Sequence, residues 1–170
     1  MKKILLILLV LCFSLNTAMA FGSRKNAKEI ANQIPELKNV SCTFTQKKTR
    51  GDIELNSGGN FQFIKDKGVV FETMYPIHMI TGYESPRTKH INDIILAVSK
   101  KDYTYLDKNF DLNFTKLDDR WQLVLNPKKD VIKKHLHSVT IDGSKEDIDR
   151  IFIDTVNSGQ TEILFECGKN

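Results

Sequence analysis

Residues 42–76 read CTFTQKKTRGDIELNSGGNFQFIKDKGVVFETMYP, and this stretch decides the fold class. Phe44 alternates with Thr43 and Thr45, Phe61 and Phe63 flank Gln62, and Val69 and Phe71 flank Val70, with Ile53 and Leu55 between them. Alternation at period two places the aromatics on one face of an antiparallel sheet. Gly58-Gly59 and Asp66-Lys67-Gly68 are residues that tolerate positive φ, so the stretch is expected to form four short strands joined by tight turns. A sheet face carrying four phenylalanines must be covered by other elements or hold an apolar ligand.

The N-terminus speaks for export. Lys2 and Lys3 precede an apolar run over 4–15, and Ala18-Met19-Ala20 has the small residues that a signal peptidase needs. The run is shorter than the roughly 20 residues of a bilayer-spanning helix. A lipoprotein signal built on Cys12 is excluded, because the bulky Leu11 precedes it and the cysteine lies inside the apolar run. We therefore expect a signal peptide over 1–20, cleavage after Ala20, and a single periplasmic domain over 21–170. Removing Lys2 and Lys3 lowers the formal net charge from +4 to +2. The remaining basic pairs, Lys47-Lys48, Lys128-Lys129 and Lys133-Lys134, lack interleaved aromatics, which argues against a nucleic-acid partner. Cys42 and Cys167 remain after cleavage, an even pair in an oxidising compartment. Each shares strand parity with inward aromatics, Phe44 and Phe165, so a disulfide between the first and last strands is expected, the alternative being two buried free thiols. For so long a loop the chain-entropy argument gives about 4–5 kcal/mol.

Ala27, Ile30, Ala31, Ile34 and Leu37 recur at three- and four-residue spacing, an amphipathic helix with Ser23 as a candidate cap and Pro35 as its stop. A fifth strand is expected over 77–83, and Ser85-Pro86-Arg87 reads as a turn. Ile91, Ile94, Ile95 and Val98 mark a second helix burying one face, and Tyr103, Leu106 and Phe110 suit a further helical segment. Strands resume with a hairpin through Asp118-Asp119 into Trp121, Leu123 and Leu125. A short helix over 130–135 carries Val131 and Ile132. A strand pair joined across Asp142-Gly143 carries Val139 and Ile141, then Ile151 and Ile153. A turn at Asn157-Ser158-Gly159 leads into the last strand. The expectation is one α+β domain of roughly nine to eleven antiparallel strands with two main helices.

In order and spacing these features resemble the periplasmic outer-membrane lipoprotein carrier family, LolA. The amphipathic helix is followed by an F-x-Q-K strand at Phe44, Gln46 and Lys47, then by Gly59, a basic residue at Lys65, Phe71 and Pro76. The hairpin W-x-L-x-L before a proline falls at Trp121, Leu123, Leu125 and Pro127, and the final strand at Thr161, Ile163 and Phe165. The resemblance covers the whole mature chain through sparse residues. It implies an incomplete antiparallel β-barrel, a half-barrel, with a helical lid on its concave face and acyl chains held between them. It also implies acylated lipoprotein or lipid cargo, an inner-membrane ABC transporter and an outer-membrane receptor as partners, and a monomer without cofactor. Lys65 stands where the family has a lid-latching arginine, and a lysine lacks the planar five-donor fork. Phe71 stands for a tryptophan, and TGYESPRTKH has no counterpart of the family's S-D-G-x-x-L-W/Y hairpin.

On the carrier reading the lipid-binding candidates are Phe44, Phe61, Phe63, Val69, Phe71 and Met79 from the first half. Trp121, Leu123, Leu125, Ile163 and Phe165 come from the second, and Ile94 and Ile95 from the helix expected to act as the lid. The same face read without the resemblance is ordinary core, with the helices packed on it permanently. A second function class, a sensor or interaction module binding a partner's apolar segment, fits the same fold. Enzyme chemistry finds little support. His135 and His137 share a strand face but have no further ligands near them and neighbour Lys133-Lys134. No serine sits in a nucleophile elbow, and Asp118-Asp119 reads as a turn. Neither a catalytic set nor a metal site is expected.

Overall fold

A computed structural model describes residues 27–82, 85 and 89–168 of the 170-residue chain. The signal-peptide reading, the Ser23 cap and the Pro86-Arg87 part of the expected turn lie outside the described residues. Helix α1 (Ala27–Gln33) leads into strands β1 (Val40–Arg50), β2 (Ile53–Ile64), β3 (Gly68–Tyr75) and β4 (Met79–Thr81). Helices α2 (Lys89–Ser99) and α3 (Tyr103–Asn109) cross to β5 (Phe110–Leu117) and β6 (Arg120–Pro127). The short α4 (Asp130–Lys133) precedes β7 (Leu136–Ser144), β8 (Asp147–Thr155) and β9 (Gly159–Cys167). Among the described residues all nine strands form one antiparallel sheet in the order β4-β3-β2-β1-β9-β8-β7-β6-β5, with β4 and β5 at its two edges and no closure between them. The chain is thus two meanders, β1–β4 and β5–β9, sutured where β1 meets β9. Among the described residues no helix is long and apolar enough to cross a membrane.

Three expectations about strand boundaries are corrected. The quoted stretch forms three strands rather than four, because Gly58-Gly59 lies inside the twelve-residue β2. The real turn is Gly51-Asp52, with Gly51 at φ +57°. Gly58 and Gly59 sit at a bulge against β3, and a Cβ on Gly59 would strike the Glu72 carbonyl of the neighbouring strand. A glycine pair within a strand therefore marks close backbone approach here rather than reversal. Asp142-Gly143 is likewise inside β7, at a second bulge, and the chain turns at Lys145-Glu146 with Lys145 at φ 53°. A Cβ on Gly143 would enter the Trp121 ring, whose Nε1 donates to the Lys145 carbonyl at 3.1 Å. The expected fifth strand shortens to the three residues of β4.

Register places one apolar face on every strand. Across β1 and β9, Cys42 faces Cys167, Phe44 faces Phe165, Gln46 faces Ile163 and Lys48 faces Thr161. The core on this face is aromatic at one end. Phe61 lies 4.4 Å from Phe165 and 5.1 Å from Phe71, which meets Phe44 edge-on at 5.2 Å between ring centroids. Cys42 and Cys167 are joined in a disulfide, their Cα atoms 4.3 Å apart, as their parity led us to expect. Ile30, Ile34 and Leu37 from α1 and its continuation are buried on the same cluster, as are Ile95 and Val98 of α2 and Leu106 of α3. Each such side chain contributes about 1.5–3 kcal/mol by burial.

Helix α2 is also held by a polar tie. Asn92 is buried, and its Oδ1 accepts a hydrogen bond from the Val69 amide at 2.9 Å, beside a Gly68 that leaves room for the carboxamide. Asn92→Ala leaves that buried N–H without a partner, which costs about 1–3 kcal/mol. We expect the melting temperature to fall by about 5 °C, at roughly 2–4 °C per kcal/mol for a domain this size. A thermal melt shifted by less than about 1 °C would show that water replaces the carboxamide.

Candidate functional site

The β1–β2 turn, the β3–β4 connection, the β8–β9 turn and α4 all lie at one end of the sheet, and towards that end the inner face is not filled. A cavity of about 670 Å³ opens there, within the range of about 300–1,000 Å³ common to small-ligand sites. Phe44, Phe71 and Ile163 form its buried floor, with Ile94 of α2 and Phe110 at the start of β5. Partly buried Ile91, Tyr105, Ile132, Leu136 and Ile153 make the walls. The polar lining comes from Gln46, Lys48, Thr73, Thr81, Thr155 and Thr161 on the strands, from His90 in α2 and from His135 after α4. Gln46 donates to Ser57 Oγ at 3.1 Å and Thr155 Oγ1 to the Gly159 carbonyl at 2.6 Å, so both are partnered within the sheet.

The end of the molecule around this mouth is unusually apolar. Ile53, Leu55, Ile77 and Val131 are 62–75% exposed there, where large apolar side chains in a group signal an interaction surface. Burial raises the Tyr105 phenol above its ordinary pKa, with Asp93 and Asp102 adding to the shift, so its hydroxyl stays neutral as a wall of the cavity.

Of the thirteen lipid-binding candidates, Phe44, Phe71, Met79, Ile94 and Ile163 line the cavity. The other eight do not line it. Phe61, Phe63, Val69, Ile95, Trp121, Leu123, Leu125 and Phe165 are packed in the core beside it, none more than 8% exposed. The remaining lining residues were not foreseen, and two groups of them show why. Ile153 and Thr161 have the same parity as the buried Ile151 and Ile163, a signal present in the strands themselves. Tyr105, Val131, Ile132 and His135 come from short helical segments, and only the fold brings these to the mouth.

Lys65 does not reach α2. Its ammonium pairs with Glu36, in the connection between α1 and β1, and its amide donates to Asn39 Oδ1 at 2.6 Å. The pairing holds the Glu36 carboxyl below its ordinary pKa and the Lys65 ammonium above its own. This tie lies at the filled end, away from the mouth. From the same hairpin, Asp66 reaches Lys100, just after α2, at 3.7 Å. Both pairs are exposed and contribute little to stability. His78 pairs with Glu72 at 3.2 Å on β3 and the β3–β4 connection. Among the described residues no cluster of three His, Cys, Asp or Glu could hold a metal ion. Among the described residues the lining is an apolar floor with Lys48, His90 and His135 among its polar groups. No protein-family model matches the chain, and no curated protein matches it.

Proposed function

We propose that this protein is a periplasmic carrier that sheathes an acyl chain of a lipoprotein, or of a related acylated lipid, in the cavity on the inner face of its sheet. One observation carries this reading: the inner face is packed solid at one end and left as an apolar cavity of about 670 Å³ at the other. Unfilled apolar space of this size forgoes packing contacts, and proteins tolerate it where a ligand restores them. Each buried methylene supplies about 0.8 kcal/mol, so a chain of ordinary length binds well once most of it is sheathed.

In this reading the sheet is a half-barrel. Residues of both edge strands, Met79 and Thr81 of β4 and Phe110 of β5, line the same cavity. Nine strands laid flat at about 4.8 Å spacing would set those edges roughly 38 Å apart, so a shared cavity is what curvature supplies. Helices α2, α3 and α4 form the cover. Because Asn92 ties α2 to β3, we place cargo entry at the open mouth rather than by swinging α2 away. The resemblance to lipoprotein carriers fits this arrangement, and an inner-membrane transporter and an outer-membrane receptor are the partners it suggests. Native mass spectrometry of periplasm-purified protein, with binding of a neutral apolar fluorophore such as N-phenylnaphthylamine, provides the test. Co-purified acyl cargo and displaceable dye are expected. An empty monomer that takes up neither dye nor lipid would overturn the carrier reading in favour of a protein-interaction module.

A further inference from the structure

We infer that the cavity takes one acyl chain, and that the chain bears an anionic head, a carboxylate or a phosphate, held at the mouth by Lys48. This deepens the carrier reading and rests on it. Capacity argues for a single chain. At roughly the 30 Å³ of a water molecule per methylene, a cavity of about 670 Å³ accommodates roughly twenty, the length of one long chain.

Charge argues for the head. Among the described residues Lys48, His90 and His135 line the cavity, and no aspartate or glutamate does. Lys48 is a lysine on the lining itself, and several neighbouring cations are already paired. Lys47, one residue earlier and on the opposite face of β1, is bonded to Glu54 at 2.6 Å. Lys89 meets Asp93 at 3.3 Å, Lys128 meets Asp107 at 2.9 Å, and Lys133 approaches Asp130 at 3.9 Å. Lys48 faces inward opposite Thr161 and Leu55 and has no ion-pair partner among the described residues. A chain drawn into the apolar floor brings its head to this rim and strips part of its water. For an anion the ammonium offsets that loss with a charge-assisted hydrogen bond, for a neutral head it does little, and a cationic head it repels.

The test uses matched twelve-carbon ligands below their micellar concentrations, competing with N-phenylnaphthylamine on the mature protein at low ionic strength. Laurate, dodecyl phosphate, dodecanol and dodecyltrimethylammonium share a chain and differ in head. Laurate or dodecyl phosphate should displace the dye at a concentration roughly 3- to 10-fold below dodecanol, with the ammonium weakest, and the gap should shrink in high salt. The tighter of the two anions identifies the carboxylate or the phosphate as the preferred head. Lys48→Gln, checked for fold by circular dichroism, should close most of the gap by weakening the anions. Equal displacement by all four heads would overturn the anionic assignment while leaving the carrier reading intact. Dye that binds but is displaced by none of the ligands would overturn the assignment too, and absence of dye binding would remove both readings.

Discussion

Replacing Cys42 and Cys167 together by alanine is expected to cost about 4 kcal/mol of stability. The bridge closes a loop spanning 125 residues, for which the chain-entropy argument gives nearly 5 kcal/mol, and measured values usually fall short of it. Sheet order explains why this bond sits where it does. Strands β1 and β9 form the seam between the two meanders, and their pairing joins opposite ends of the chain. Every other neighbouring pair of strands in the sheet is consecutive in sequence, most of them closed by short turns. Loop-closure entropy therefore concentrates at this single contact, which the bridge retains in the unfolded chain. Denaturant titration of the oxidised protein and the double variant should show the difference, with a melting temperature lower by about 10 °C. A change under about 1 kcal/mol would mean that the aromatic ladder of Phe44 and Phe165 holds the seam unaided.

The same seam shows what could be read from residue order and what could not. Parity along β1 and β9 led to the facing cysteines, because period-two alternation specifies a strand's buried face once one apolar residue is placed. Parity is silent about position along the strand. Phe61 and Phe44 are both inward residues, yet one is packed between aromatic rings and the other floors the cavity, a division made by where the helices cover the sheet. Hence eight inward residues read as lipid-binding turn out to be core. The misplaced turns have a related cause. Gly58-Gly59 and Asp142-Gly143 carry the composition of reversals, but each accommodates a neighbour, the Glu72 backbone in one case and the Trp121 ring in the other. Meanwhile Lys145 takes up positive φ without being glycine. Close approach and reversal favour the same residue, and only the partner strand distinguishes them. Lys65 illustrates a third limit. The resemblance suggested a latch on the cover, while its side chain lies next to Glu36 instead.

These distinctions select the most discriminating change at the cavity. A glutamate at Phe71 would place a charge on the floor, but Phe71 packs against both Phe44 and Phe61, so lost binding would be confounded with lost core. Thr73 avoids the problem. It is half-buried, lines the cavity, and pairs with Gly59 of β2, which has no side chain of its own. An indole there occupies volume that an acyl chain would use. Excluding about four methylenes at about 0.8 kcal/mol each removes about 3 kcal/mol of binding, roughly a hundredfold in affinity. We therefore expect Thr73→Trp to weaken binding of N-phenylnaphthylamine and laurate about 100-fold while stability stays within about 1 kcal/mol of the parent. Leu123→Ala should show the converse. Leu123 is fully buried at the filled end and does not reach the cavity, so its truncation should cost about 2–5 kcal/mol of stability and leave the affinity of the folded protein unchanged. A folded Thr73→Trp protein that binds these ligands as well as the parent would place their site elsewhere on the molecule.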